Sequence, residues 1–355
     1  MKVLSVVGAR PQFVKLGPMD RSIRSRHEHV ILHTGQHYDR SMSDSFFEVL
    51  DIPTPDYNLN IGSGSHGDQT GRMIAGIEDV ILKEMPDCVL TYGDTNSTLA
   101  AAIAAVKLHV PIAHIEAGLR SYNRMMPEEV NRVLTDHASD MLFCPSKAAY
   151  YNLAKEGLEK KAYVVGDLMV QLLLEIGDSV SVALEGLDLE PKGYILLTMH
   201  RQENVDDKDK MERMMSFLED IEETVVFPIH PRTRKRLQEF GIMQRLEQSA
   251  NIKLIEPQDL LSFSALEKDA RIIMTDSGGV QKDAYVFGVP CITLREETEW
   301  TETVDEGWNL VTGTDVEAIK DALANFVKPV TARDAYGGKG VSERIVDIIE
   351  EYSSQ

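Results

Sequence analysis

Residues 271–287 read RIIMTDSGGVQKDAYVF: a short apolar run, a polar turn with two glycines, then an amphipathic stretch. Strand, glycine turn and helix form the unit from which parallel α/β sheets are assembled. The unit recurs on both sides. Strands are expected at 194–198, 225–229, 252–255 and 291–294 around the one at 271–275, with helices at 208–223, 259–266 and 277–287. The first half of the chain repeats the alternation, with strands at 3–7, 30–33, 88–92, 112–115 and 141–144 and helices at 68–84, 94–107 and 128–139. Continuous β-branched runs of this kind suit parallel sheets covered on both faces. Two series imply an α/β protein of two doubly wound domains, with the boundary near residue 170. Residues 341–352 are helix-like and fall outside both series.

The chain has 355 residues, 57 acidic against 37 basic, for a formal charge of -20. Such a field repels a phosphate backbone or an anionic membrane, so no nucleic-acid or membrane partner is expected. A small phosphorylated ligand needs only a few placed cations and stays open. Cys88, Cys144 and Cys291 show neither metal nor disulfide spacing, which points to a reducing compartment. No apolar run approaches a membrane span, and no basic-then-apolar signal pattern opens the chain. A cytoplasmic location is expected.

Ligands of open α/β sheets bind beyond the carboxyl ends of the strands, and with two such domains the cleft between them is the expected site. The polar residues after each strand therefore carry the functional reading. The first strand runs into Gly8-Ala9-Arg10-Pro11, where Gly8 allows a tight turn and Pro11 starts a helix presenting Arg10 and Lys15. That setting suits an anion. The pattern is neither GxGxxG nor GxxxxGK[ST], so neither NAD nor ATP is indicated. Asp94, taken alone, reads as a helix cap. Glu116 at the next strand end and Glu128 after Pro127 shift that reading, because carboxylates sharing one rim become candidate acids and bases. Glu129 reads as an ordinary first-turn acid stabilised by the helix dipole. In the second half, His200-Arg201 and His230-Pro231-Arg232 each follow a strand as anion clamps. Ser277-Gly278-Gly279 opens a helix whose amides a diphosphate can approach. No metal is expected: the histidines include no HExxH, His33 and His37 fall in a loop-like stretch, and His27 and His29 read as a solvated surface. No Ser stands in GxSxG, so an esterase triad has no support.

The segments GARPQFVK, TGQHYD, GDTNS, HIEAGLRS, PEEVNR, MHRQEN, EPQDLL and DSGGVQ, in that order, span nearly the whole chain. Together they resemble the non-hydrolysing UDP-N-acetylglucosamine 2-epimerase family. The resemblance implies two Rossmann-like doubly wound domains of the glycosyltransferase B type with a cleft between them. Residues 1–170 would carry the sugar-side carboxylates, 171–335 the UDP site, and 336–355 a helix crossing back to the first domain. It also implies a homodimer, a UDP-sugar substrate and no cofactor. The family's functional positions fall on Arg10, Lys15, Asp94, Glu116, Glu128, His200, Gln258, Ser277 and Gly279. Arg201, His230, Gly278 and Asp283 complete the expected site. Asp94, Glu116, Glu128 and His200 are expected to be catalytic, and the others to hold UDP and sugar.

Three departures bear on substrate and regulation. Lys282-Asp283 stands where many members have Glu-Glu, and Thr298-Glu299-Trp300 stands where many have Arg after Thr-Thr-Glu. Both resemble the subgroup acting on UDP-2,3-diacetamido-2,3-dideoxy-glucuronate. Some bacterial members need a second substrate molecule as activator beside the GQH loop; here Gln36-His37-Tyr38-Asp39 is less basic, and weak activation or none is expected. The implied reaction is reversible C2 epimerisation of UDP-N-acetylglucosamine to UDP-N-acetylmannosamine. Alternatives are the diacetamido-uronate epimerase, a UDP-sugar glycosyltransferase of the same fold, and a non-catalytic UDP-sugar sensor.

Overall fold

The computed structural model describes residues 1–36, 54–177, 189–330 and 334–354. They fall into two compact units, Met1–Leu172 with Asp334–Gln355, and Leu173–Arg333. The first holds a seven-stranded sheet: β1 (Lys2–Val7), β2 (Glu28–His33), β3 (Tyr57–Asn58), β4 (Cys88–Tyr92), β5 (Ile112–Ile115), β6 (Met141–Cys144) and β7 (Ala162–Val164). Its order is β3-β2-β1-β4-β5-β6-β7, and every neighbouring pair is parallel. The second holds β8 (Tyr194–Thr198), β9 (Thr224–Pro228), β10 (Ile252–Ile255), β11 (Ile272–Thr275), β12 (Cys291–Thr293) and β13 (Asn309–Val311). Its order, β10-β9-β8-β11-β12-β13, is again all parallel. Both units are doubly wound. In each, the order reverses beside the first strand, so the connections leave on opposite faces and open a crevice between the carboxyl ends of β1 and β4, and of β8 and β11.

The central strands are buried along their length, as the apolar runs require. β3, β7 and β13 have no counterpart in the sequence pattern. Each is two or three residues long with partly exposed side chains, so none produces a continuous apolar run. All three cysteines are buried, and burial pushes each thiol up to about 12.

The helix Val341–Ser353 packs on the helix Arg10–Arg24 of the first unit. Ser22 donates to Ser342 at 2.8 Å, Arg26 meets Asp347 at 2.7 Å, and His27 meets Glu350 at 2.6 Å. His29 is buried as well: Nδ1 lies 2.7 Å from Asp20, and Nε2 lies 2.7 Å from the Ser5 hydroxyl, which bonds Tyr92. The expectation of a solvated His27–His29 surface is therefore wrong. β2 begins at Glu28, and every residue from His29 to His33 is buried in the covered sheet. Asp20, His29 and Ser5 line up like a hydrolase triad but lie inside the core, so they brace β1 and β2 against the first helix. His33 ends β2 instead of lying in a loop; it is buried, stacks on Phe13, and burial lowers its pKa.

Candidate active site

At the first unit's crevice, one side chain links the two strand ends. Gln12, in the first turn of the helix Arg10–Arg24, accepts from the amides of Gly8 (2.7 Å) and Ala9 (2.9 Å). Its amide nitrogen donates to the Tyr92 carbonyl (2.7 Å) and to the hydroxyls of Thr95 and Thr98. The Gly8 and Ala9 amides of the turn are thus already engaged within the protein. Gly8 owes its identity to close approach: an added Cβ would stand 2.1 Å from the Thr34 hydroxyl and 2.2 Å from that of Ser97. Those hydroxyls bond each other, and Ser97 also donates to Gln36. The Arg10 side chain lies outside the described residues, as do His37, Tyr38 and Asp39.

Lys15 reaches the next strand end and pairs with Glu116, which follows β5. Glu116 holds φ at +69°, a left-handed conformation that costs a non-glycine residue roughly 1–2 kcal/mol. The flanking ladder imposes it: Gly93 donates to the Ile115 carbonyl and Ala117 to that of Phe143. Gly93, at φ +64°, leaves room for the pair, since a Cβ there would lie 3.2 Å from Glu116 Oε2. Asp94 does not cap the following helix. Thr95 does, accepting from the Thr98 amide. The Asp94 carboxylate instead receives Arg132 Nε (3.0 Å) and Nη2 (2.6 Å), both on Oδ2. Glu128, in the first turn of the helix Pro127–Ala138, is exposed.

Glu129 departs furthest from expectation. It is buried, and its two oxygens accept from the Ser121 amide and hydroxyl, the Tyr122 amide and Arg132. Burial works to raise its pKa, but these donors hold the carboxyl below its ordinary value. It clamps the loop after β5 instead of merely meeting a helix dipole. Beneath lies a buried network that sequence reasoning missed. His114 reaches the Gly93 carbonyl (2.8 Å) and Asp136 (2.7 Å), Asp136 meets Arg120 (2.7 Å), and Arg120 grips Glu156 through two bonds.

In the second unit, Asp276 after β11 organises the end of β8. Fully buried, it accepts from the amides of His200 (2.9 Å) and Arg201 (2.9 Å) and from Asn204 Nδ2 (3.1 Å). His200 is thereby set beside His230, ring centroids 5.4 Å apart. His230 caps the next helix through the Arg232 amide, and its pKa is lowered by burial and then by His200 and Arg232. Arg201 is exposed with no side-chain partner among the described residues, whereas Arg232 is paired with Asp206 and Arg295 with Glu299. Gln258, after β10, donates to the Glu256 carbonyl.

Ser277 precedes the helix Gly278–Phe287 without capping it by its side chain. The two glycines divide their duties. A Cβ on Gly279 would meet only the Ser277 hydroxyl, at 4.0 Å, so there is open space beside its Cα. A Cβ on Gly278 would strike Glu299 at 2.2 Å and lie 3.3 Å from Trp300 Nε1. The segment 298–300 thus packs against the first turn, with Lys282 over the Trp300 ring at 4.9 Å. Asp283 lies beside Glu267, a carboxyl that burial and the Asp283 charge push well above the ordinary range.

The structure therefore brings Lys15, Asp94 and Glu116 to one sheet edge, with Glu128 on the adjoining helix, and His200, Arg201, His230, Ser277 and Gly279 to the edge of the other sheet. Sequence reading missed Gln12, His114, Arg120, Arg132, Asp136 and Asp276. One signal was available: Glu128, Arg132 and Asp136 follow at intervals of four, which places them on one helical face.

A family model described as UDP-N-acetylglucosamine 2-epimerase matches residues 21–350. The chain is 49% identical over 354 residues to a Methanococcus maripaludis protein named UDP-N-acetylglucosamine 2-epimerase homolog, spanning 98% of this chain and 99% of that one. It is 46% identical over 359 residues to the Pseudomonas aeruginosa UDP-2,3-diacetamido-2,3-dideoxy-D-glucuronate 2-epimerase, with 98% and 99% covered. Among solved structures, the Methanocaldococcus jannaschii UDP-GlcNAc 2-epimerase in complex with UDP-GlcNAc and UDP matches with a TM-score of 0.81 at 44% identity, covering 99% of this chain and 100% of that chain.

Proposed function

The chain belongs to the UDP-N-acetylglucosamine 2-epimerase family, and from that premise we propose that it interconverts UDP-N-acetylglucosamine and UDP-N-acetylmannosamine. The carrying observation is the set of carboxylates Asp94 and Glu116 on one sheet edge with Glu128 on the adjoining helix, two of them held by cations. Inverting C2 means breaking a C–H bond that no carbonyl acidifies. Departure of UDP from C1 builds positive charge on the neighbouring carbon and makes the C2 proton removable. A carboxylate takes that proton, the C1–O bond pair leaves with UDP, and a 2-acetamidoglucal forms. Readdition of UDP at C1 with protonation from the other face gives the epimer.

Asp94, Glu116 and Glu128 are assigned to proton transfer at C2. Ser277, the helix-start amide of Gly279, Arg201, His200 and His230 are assigned to the diphosphate, as donors where charge develops. Arg10, Lys15, Gly278, Gln258 and Asp283 complete the proposed binding set. Lys15 acts through its pair with Glu116, and Gly278 by admitting the 298–300 segment.

The second reading, the diacetamido-uronate epimerase, is favoured by Lys282-Asp283 and Trp300 and by the Pseudomonas aeruginosa relative. A C6 carboxylate would need a cation, and of Arg201, Arg232 and Arg295 only Arg201 lacks an acidic partner among the described residues. One experiment addresses both readings: proton NMR of the two nucleotides together with enzyme in D2O, without acceptor. Deuterium should enter C2 of both UDP-N-acetylglucosamine and its epimer, with traces of UDP and glucal. Full retention of the C2 proton overturns elimination. A tenfold preference for the uronate, about 1.4 kcal/mol in the transition state, transfers the substrate and leaves the mechanism.

The proposal extends to a homodimer, supported by exposed apolar side chains on three helices of the first unit: Leu82 and Met85 at the end of His66–Glu84, Val106 on Asn96–Lys107 and Leu134 on Pro127–Ala138. Sedimentation should give twice the 39.7 kDa chain mass; a monomer at micromolar concentration overturns this. Among the described residues no helix is long and apolar enough to cross a membrane. The three buried free thiols suit a reducing compartment and support a cytoplasmic enzyme, and the proposal extends to its supplying an activated sugar for polysaccharide biosynthesis.

A further inference from the structure

The helix Pro127–Ala138 carries three groups at intervals of four: Glu128, Arg132 and Asp136. Residues four apart stand about one helical turn, or ~6 Å, from one another on the same face. Each does something different to the rim. Glu128 is a proposed catalytic carboxylate. Asp136 holds His114, whose Nε2 donates to the Gly93 carbonyl immediately before Asp94. Arg132 lies between them and grips Asp94 itself.

The grip is one-sided. Arg132 Nε and Nη2 both donate to Asp94 Oδ2, at 3.0 and 2.6 Å, and Oδ1 accepts no hydrogen bond among the described residues. The neighbouring Asn131 donates to the Asp94 main-chain carbonyl at 2.9 Å and to Asn96 Oδ1 at 3.2 Å. Arg132 Nη1 is meanwhile anchored by the buried Glu129 at 2.9 Å, so the guanidinium cannot swing with the carboxylate it holds. Burial disfavours the Arg132 charge, yet Asp94 and Glu129 more than restore it. An aspartate on a loop would otherwise sample several rotamers. Here one oxygen is tethered and the other is left to accept a proton, at an orientation set by a rigid helix.

Resting on the assignment of Asp94 to the sugar, we infer that Arg132 is the positioning residue for Asp94: it fixes Oδ2 so that Oδ1 is presented to C2. Arg132 touches neither proton nor nucleotide; it acts wholly through Asp94. Its removal should therefore slow turnover without loosening UDP, and should do nothing further once Asp94 has lost its carboxylate.

The test is a double-mutant cycle on the full-length enzyme with Asp94→Asn and Arg132→Gln, following kcat, KM, UDP affinity by calorimetry and thermal midpoint. Arg132→Gln should lower kcat at least tenfold with UDP affinity within twofold, and the double variant should be no slower than Asp94→Asn alone. Arg132→Lys keeps the charge but not the paired bonds to Oδ2, and should recover part of the loss. With substrate deuterated at C2, the isotope effect on kcat should grow in Arg132→Gln, which general loosening of the fold would not produce. Glu129→Gln releases the 121–122 loop and weakens the Nη1 anchor while Arg132 keeps both bonds to Asp94; it should lower the thermal midpoint and cost less turnover than Arg132→Gln. If Arg132→Gln fails to fold, the same cycle with Arg132→Lys decides.

Losses that simply multiply in the double variant overturn the inference, as does Glu129→Gln reproducing the full effect. An Asp94→Asn enzyme of ordinary speed overturns the proposed role of Asp94 itself. A slow Asp94→Asn beside an unimpaired Arg132→Gln overturns only the positioning role.

Discussion

Glu128→Gln is expected to reduce turnover by about 100- to 10,000-fold while UDP binds with unchanged affinity. Glu128 is exposed and has no hydrogen bond or ion pair among the described residues, so the amide removes a proton acceptor and little else. Asp94→Asn and Glu116→Gln should fall in the same range, equivalent to roughly 3–5 kcal/mol of transition-state stabilisation. Both also disturb a partner, Arg132 in one case and Lys15 in the other. Glu128→Gln is therefore the cleanest of the three. Ser277→Ala should show the opposite bias: weaker UDP binding, by roughly 10- to 100-fold if its hydroxyl donates to a charged phosphate. Turnover followed by NMR and UDP affinity by calorimetry separate the two patterns. Amide variants that lose UDP instead of turnover would move the carboxylates from the sugar to the nucleotide.

Asp136→Asn is expected to destabilise the first unit by about 3–5 kcal/mol, read as a lower urea midpoint. Asp136 has no exposed surface and carries the charge between His114 and Arg120, whose side chain is 1% exposed. The asparagine would keep a hydrogen bond but leave the buried guanidinium with Glu156 as its one acidic partner among the described residues. A change below 1 kcal/mol would mean that the network positions the loops without supporting the fold. The pH dependence follows with a definite sign. Burial tends to raise Asp136, but His114 and Arg120 more than offset it, and its pKa lies below the ordinary value; Asp20 and Glu129 are lowered in the same way. Groups depressed in the folded state contribute stability in full above the unfolded carboxylate range and lose it as pH falls through the folded value. Stability should hold above about pH 5 and decline below about pH 4, more shallowly in Asp136→Asn.

The contrast between Asp94 and Glu129 shows what reading one chain position at a time can reach. Both are acids at the start of a helical pattern, and both invite the bland reading of a cap or a dipole partner. Asp94 loses the cap to Thr95, and Glu129 becomes the buried anchor of a loop that it grips at Ser121, eight residues earlier. The difference lies in which neighbours arrive from elsewhere in the chain. Arg132 reaches Asp94 across 38 residues, and Lys15 reaches Glu116 across 101. Trp300 gives the same lesson: a departure noticed in the sequence proves to pack against Gly278 beneath Lys282, which explains the glycine as much as the tryptophan.

The sequence alone determined the α/β alternation, the two doubly wound series and the residues standing just beyond each strand, because strand period, apolar runs and glycine turns are local properties of the chain. The ordered segments carried the family resemblance by the same means. Only the tertiary structure decided which of those residues hold one another: Gln12 across β1 and β4, Asp276 under His200 and Arg201, Arg132 on Asp94, and the buried line from His114 to Glu156. Those bonds join strand ends, helices and loops that are distant in sequence and adjacent in the fold. No spacing rule announces them, and desolvation makes each one obligatory once the sheet has formed.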